Sequence, residues 1–272
     1  MLRNICNTLI VFTLALFVLT GCRTEFEKVR TGNDVETKYK SGMELYDAGD
    51  YYKAQILFEQ ILGPIRSDAR VEEVYFKYAY TQYYLRKYVL AAYYFKRFTD
   101  NFPNSQFAEE AAFMTAYSNY ELSPTFRLDQ TFSQDAVDAF QLFTNRFPES
   151  DRVTRANALI DELRAKMEKK AFNTADLYFK LQDYKAAHHT FSNLLKDFPD
   201  ATDIERARFM VLKASHKLAE NSIDFVKVER YQETIDAYYE FIDRHPASRF
   251  KKEAEDIFDD SVKNIDRLKS IN

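Results

Sequence analysis

Residues Tyr184 to Pro199 read YKAAHHTFSNLLKDFP, an amphipathic helix that stops at a proline. Tyr184, Ala187, Phe191 and Leu194 stand at i, i+3, i+7 and i+10, one face of a 3.6-residue period. The same spacing returns as Tyr88, Ala91, Phe95 and Phe98, closed by Pro103, and as Tyr231, Thr234, Tyr238 and Phe241, closed by Pro246. Ser133, Ala136, Phe140 and Phe143 before Pro148 are a weaker copy. Tyr51, Ala54, Phe58 and Ile61 before Gly63-Pro64 are a fifth. Five of the six prolines thus close such a unit, and the chain reads as a helical repeat.

Each of these helices needs a partner to cover its apolar face. Tyr39 to Ala48 supplies the first, with Gly49-Asp50 as the turn into Tyr51. A second pair begins near Val71, turns at Arg86-Lys87 and ends at Pro103; Asn104-Ser105 then offer cap oxygens to the next helix. Thr202 with Glu205 predicts a capping box. Ala79, Ala91, Ala175 and Ala187 meet the small positions of the tetratricopeptide pattern, and Tyr88, Phe95, Tyr184 and Phe191 its large ones. The stretches Leu122 to Phe132 and Asn221 to Val228 read as insertions. Val153, Ala156, Ile160, Leu163, Met167, Ala171, Ala175 and Tyr178 line one face of a single long helix, expected to bridge two halves. The segment Ala247 to Leu268 lacks a partner and is expected to cap the array. The expected fold is therefore all-α, a superhelical solenoid of five tetratricopeptide-type helix pairs with a C-terminal capping helix.

Composition agrees. All five glycines of the 272 residues lie at or before Gly63, which argues against sheets and hairpin turns over the rest. The chain has 19 Tyr and 24 Phe, so many phenols must pack with their hydroxyls at a wet edge. A formal charge of −4 gives no basic footprint, and nucleic acid is not an expected partner.

The first residues carry an address. Arg3 precedes an almost wholly apolar run from Leu9 to Leu19, too short to span a bilayer, and Leu19-Thr20-Gly21-Cys22 follows. Small residues before a cysteine resemble the bacterial lipoprotein box. That resemblance implies cleavage after residue 21, a diacylglycerol thioether on Cys22 and an acylated new amino terminus, an anchor of two or three chains. An ordinary secretory signal with a chance cysteine, or a short anchor helix, is the alternative. Arg23 in place of Asp leans toward the outer membrane. The expected organisation is a signal peptide over 1–21, a flexible tether over 22–34, N-terminal repeats over 35–150, and the long helix, C-terminal repeats and cap over 151–272.

No catalytic constellation stands out. Adjacent His188 and His189 point about 100° apart on a helix and cannot share a metal. His216 and His245 stand alone in sequence and read as surface or edge histidines. The body has no glycine from which to build a phosphate loop. No enzyme activity, metal or cofactor is expected. Binding is another matter. Tyr39, Met43 and Tyr46, and then Phe76, Tyr80 and Tyr83, each follow i, i+4, i+7 on a first helix. They form a candidate groove for an extended peptide with aromatic or apolar residues. The competing reading is that these rings pack on neighbouring helices.

A lipoprotein box followed by five such pairs resembles the BamD family of outer-membrane assembly lipoproteins. The stretches LYFKLQDYKAAHHTFSNLLKDFP (177–199) and YQETIDAYYEFIDRHPASRFKKEAEDIF (231–258) carry the likeness most clearly, the second in the form found in Bacteroidetes-type bacteria. The resemblance implies a non-enzymatic scaffold, lipid-anchored in the outer membrane and facing the periplasm. Its C-terminal repeats would bind the POTRA domains of a BamA-like barrel subunit. Its N-terminal repeats would bind unfolded outer-membrane proteins, whose last strand commonly ends in an aromatic residue. A periplasmic adaptor of the cell-wall or Tol–Pal systems is the competing function.

Overall fold

A computed structural model describes residues 25–271, so the apolar leader and Cys22 lie outside the described residues. Twelve α-helices and no strand occur among these. Helix α1 is Glu25–Thr31. Five pairs follow: α2 (Val35–Asp47) with α3 (Tyr51–Ile61), α4 (Val71–Tyr84) with α5 (Tyr88–Asn101), α6 (Ala108–Leu122) with α7 (Thr131–Arg146), α8 (Val153–Lys180) with α9 (Tyr184–Asp197), and α10 (Ile204–Glu220) with α11 (Asp224–Arg244). The last helix, α12 (Lys251–Ile271), packs on α11 and α10. The chain is all-α and of tetratricopeptide type.

The repeating stripe is the core. Ala54, Phe58 and Ile61 are fully buried, as are Ala91, Phe95 and Phe98, and Ala187 with Phe191. Ala136 and Phe140 follow suit, with Phe143, Leu194 and Phe241 all but closed to solvent. Each such phenylalanine contributes about 1.5–3 kcal/mol by leaving water. Gly42 is the small residue that lets α2 approach α3: a Cβ there would lie 2.8 Å from the Phe58 ring.

Two local devices repeat with the pairs. Within three of the five pairs, the first helix ends in a Schellman turn. The Gly49 amide donates to the Tyr46 carbonyl and the Asp50 amide to Leu45. Arg86 and Lys87 do the same to Tyr83 and Gln82, and Gln182 and Asp183 to Phe179 and Tyr178. The left-handed residue is Gly49 (φ 81°), Arg86 (φ 58°) or Gln182 (φ 63°). Asp50 and Asp183 then cap the second helix with their carboxylates. Between pairs, Ser105, Ser150 and Ser248 each accept a hydrogen bond from the amide two residues on. Ser150 Oγ also donates to Glu109 at 2.6 Å, and Ser248 to Glu205, which ties each junction to the start of the preceding first helix.

Some expectations change. Part of the stretch read as a flexible tether is helical: α1 packs on α2 and α3, with Lys53 Nζ 5.7 Å from the Phe26 ring. Its acidic first turn and basic last turn suit the helix dipole. The capping box at Thr202 does not form, because Glu205 bonds Ser248 and the Arg249 amide instead. The insertion at Asn221 to Val228 is mostly helix: α11 starts at Asp224 and runs 21 residues. That at Leu122 to Phe132 is a loop held by Gln130, whose Nε2 donates to the Thr125 and Leu128 carbonyls at 2.9 and 3.1 Å.

The chain divides into two compact units, one running to Leu122 and adding Asp138–Val153, the other Ser123–Val137 with Thr154 onward. The division therefore falls in the 123–130 loop and α7. Past its first residue the long helix α8 belongs to the second unit.

Candidate functional site

In the first unit, phenol rings gather on the first helices of successive pairs. Tyr46 of α2 meets Tyr51 edge-on at 5.5 Å and Tyr84 at 6.4 Å. Tyr84 of α4 stacks on Tyr51 (4.2 Å, 18°) and on Tyr80 (5.6 Å, 24°). Tyr83 reaches Tyr88 at 5.4 Å and Tyr117 of α6 at 6.3 Å, and Tyr117 stacks on Tyr120. The Tyr80 hydroxyl donates to Glu110. Burial, chiefly, pushes the Tyr46, Tyr80 and Tyr83 phenols well above the ordinary range, so each keeps its proton and remains a donor.

The six candidates thus separate. Phe76 is interior: 8% exposed, it stacks on Phe107 (4.7 Å, 16°) and meets Phe95 and Phe98. It packs the junction between pairs. Tyr39 and Met43 pack on the core of the first pair while staying half-exposed. Arg70 lies 4.7 Å over the Tyr39 ring, held by Glu36 at 2.7 Å and Asp68 at 2.6 Å, and this guanidinium lowers the Asp68 carboxyl to about 2. Tyr46, Tyr80 and Tyr83 are half-buried.

Tyr84, Tyr51, Tyr117 and Tyr120 complete the face and were not among the candidates. A signal for two of them stood in the sequence. The step from Tyr39 to Phe76 is 37 residues, and a second step of 37 lands on Phe113. Phe113, Tyr117 and Tyr120 repeat the i, i+4, i+7 stripe, and Phe113 is buried as Phe76 is. Tyr84 is 45% exposed, the most open ring of the α4 face.

The second unit carries a different surface, a groove over α9, α10 and α11. His188, Val211, Arg230, Glu233, Ala237 and Glu240 line it. Its lining mixes apolar side chains with groups of both charge signs. Arg208 pairs with Glu240 at 3.1 Å. Burial, first, and Glu233, in opposition, set His188, whose pKa lies below the ordinary imidazole value. His216 is not at the surface, contrary to expectation. It is buried at the α10–α12 contact, its Nε2 2.9 Å from Asp260. Donor atoms of His216, Glu220 and Asp260 lie within 4.8 Å of one another, and Glu220 also binds Lys217 at 2.6 Å.

Paired helices with a small-residue seam, a Schellman turn inside each of three pairs and a phenol-rich face on the first helices define a tetratricopeptide-type repeat protein. A family model described as outer membrane lipoprotein YfiO matches residues 32–225, and the chain belongs to that family. A relative from Aquifex aeolicus (strain VF5), provisionally named outer membrane protein assembly factor BamD, is 25% identical over 203 residues, 74% of this chain and 66% of its own length. The outer membrane protein assembly factor BamD of Xylella fastidiosa (strain Temecula1 / ATCC 700964) is 26% identical over 210 residues, 71% of this chain and 70% of its own. Among solved structures, a thermophilic TPR protein of Thermus thermophilus is 14% identical, with 84% of this chain and 99% of that one covered at a TM-score of 0.32. No helix among the described residues is long and apolar enough to cross a membrane.

Proposed function

We propose that the chain is a non-enzymatic scaffold lipoprotein of the machinery that assembles β-barrel proteins in the outer membrane. It is anchored through acylated Cys22 and faces the periplasm. The N-terminal repeats (35–150) take unfolded barrel clients, and the C-terminal repeats (151–272) dock the POTRA domains of a BamA-like subunit. The observation that carries the reading is the phenol face of the first unit, in a chain whose relatives are named as assembly factors. Aromatic rings with polar tips suit an extended strand ending in an aromatic residue, since they offer stacking area and donors together. The mixed-charge groove of the second unit suits a folded partner with complementary charges.

A peptide copying the last strand of an outer-membrane barrel, with its terminal aromatic, tests the client role. Tyr83→Ala with Tyr84→Ala should weaken its binding about tenfold, as loss of a central aromatic anchor does, with helicity unchanged by circular dichroism. Unaltered affinity refutes the client site. For the docking role, gently solubilised membranes should yield a BamA-like barrel with the wild-type chain and lose it with Arg208→Glu. Recovery of cell-wall or Tol–Pal components in place of the barrel would overturn the assembly role itself.

A further inference from the structure

We infer that the first helix pair is a membrane-contact surface, with Tyr52 seated at the lipid headgroups. The inference rests on the acylation of Cys22 proposed above. Only Arg23 and Thr24 separate Cys22 from Glu25, the first residue of α1. Three residue steps of even fully extended chain reach about 10 Å. That is little more than the thickness of one headgroup layer, the difference between about 30 Å of hydrocarbon and 40–45 Å of whole bilayer shared between two sides.

Nor does α1 add slack. It packs on α2 and α3, and Lys53, bound to Asp50 at 2.6 Å, lies 5.7 Å from the Phe26 ring. The folded body therefore begins where the leash ends. On the first turn of α3, next to the Lys53 that reaches the Phe26 ring of α1, Tyr52 stands 62% exposed. A phenol with an apolar ring and a polar tip is the side chain that headgroup layers favour. Electrostatic attraction is not the cause. Glu25 and Glu27 balance Lys28 and Arg30, and Arg30 is bonded to Glu27 at 2.7 Å. The contact follows from enforced proximity, so salt and the fraction of anionic lipid should barely change it.

The chain contains no tryptophan, so Tyr52→Trp makes a single reporter. Full-length protein would be purified from membranes, its acylation at Cys22 established by mass spectrometry. It would then be placed in vesicles of phosphatidylethanolamine and phosphatidylglycerol with brominated acyl chains. The expected result is about a two-fold loss of the indole emission of the Tyr52→Trp protein, as for a ring at the headgroup level, equal in low and high salt. A variant with a flexible Gly/Ser linker of about twenty residues between Thr24 and Glu25 should recover full emission, since such a chain reaches well beyond the headgroup layer. Acylated protein whose indole is unquenched overturns the inference while leaving the anchor intact. Quenching that survives the linker overturns it as well. Absence of acyl mass on Cys22 refutes the anchor, and the contact falls with it.

Discussion

Gly42 shows how much one missing carbon decides. It sits mid-helix in α2, where alanine would ordinarily stabilise by about 0.5–1 kcal/mol. Here the added Cβ would lie 2.8 Å from the Phe58 ring, and Phe58 is fully buried. Overpacking of about 1–3 kcal/mol outweighs the propensity gain. Gly42→Ala should therefore lower the unfolding free energy by about 1 kcal/mol in urea melts. Gly63→Ala, whose Cβ would touch nothing within 4 Å, should not lower it. His188 acts through its proton. Burial holds its folded pKa below the 6.5 of the free side chain, so the unfolded chain binds the proton more readily. Its contribution is intact above pH 6.5 and is lost as pH falls through that value toward the folded pKa. Thermal melts between about pH 7 and pH 5 should show this decline, and His188→Gln should flatten it.

At the scale of the element, the Schellman turns explain how a chain almost without glycine turns so often. Three pairs use the same hydrogen-bond pattern, and only the first supplies glycine for the left-handed position. Gln182 holds φ 63° at the cost of a side chain that crowds its own backbone. Gln182→Gly relieves that cost and gives back part of it as unfolded-chain entropy. The net expectation is a gain of about 0.5 kcal/mol, seen as a higher urea midpoint at unchanged slope. These elements also show what was legible in sequence. The stripe Ala91, Phe95, Phe98 and its copies named the core, because a 3.6-residue period of large apolar residues admits one buried face. The phenol face was only partly legible. A tyrosine is at home in the core edge or in solvent, so its pattern does not say which of its neighbours covers it. Phe76 looked like Tyr39 by spacing, but Phe107, from the following junction, lies on it. The capping box at Thr202 failed for a similar reason: Glu205 met a serine 43 residues away, a partner no local window contains.

For the molecule as a whole, the end of the array is where repetition stops protecting itself. The fourth pair is covered by the fifth, through α9 against α10, and α11 is covered in turn by α12. Ala254, Ile257, Ile265 and Leu268 of α12 are buried there, and Phe250 stacks flat on Phe209 (4.5 Å, 3°) just before it. His216 to Asp260 and Lys213 to Glu253, at 2.9 and 2.6 Å, fasten α12 to α10 with polar groups. Burial of three large aliphatic side chains contributes about 5 kcal/mol or more, a large share of any domain's margin. Stopping the chain after Arg249 should therefore unfold more than it removes. Amides of α10 and α11, the two helices that α12 covers, should exchange with solvent orders of magnitude faster, and a hydrophobic dye should bind. The first unit keeps its own core around Phe58, Phe95 and Phe98, so its amides should hold their protection. Hydrogen exchange read by mass spectrometry distinguishes these outcomes. Loss of protection through both units would show that the pairs fold as one cooperative array, and no loss in α10 would show that α12 is not its cap.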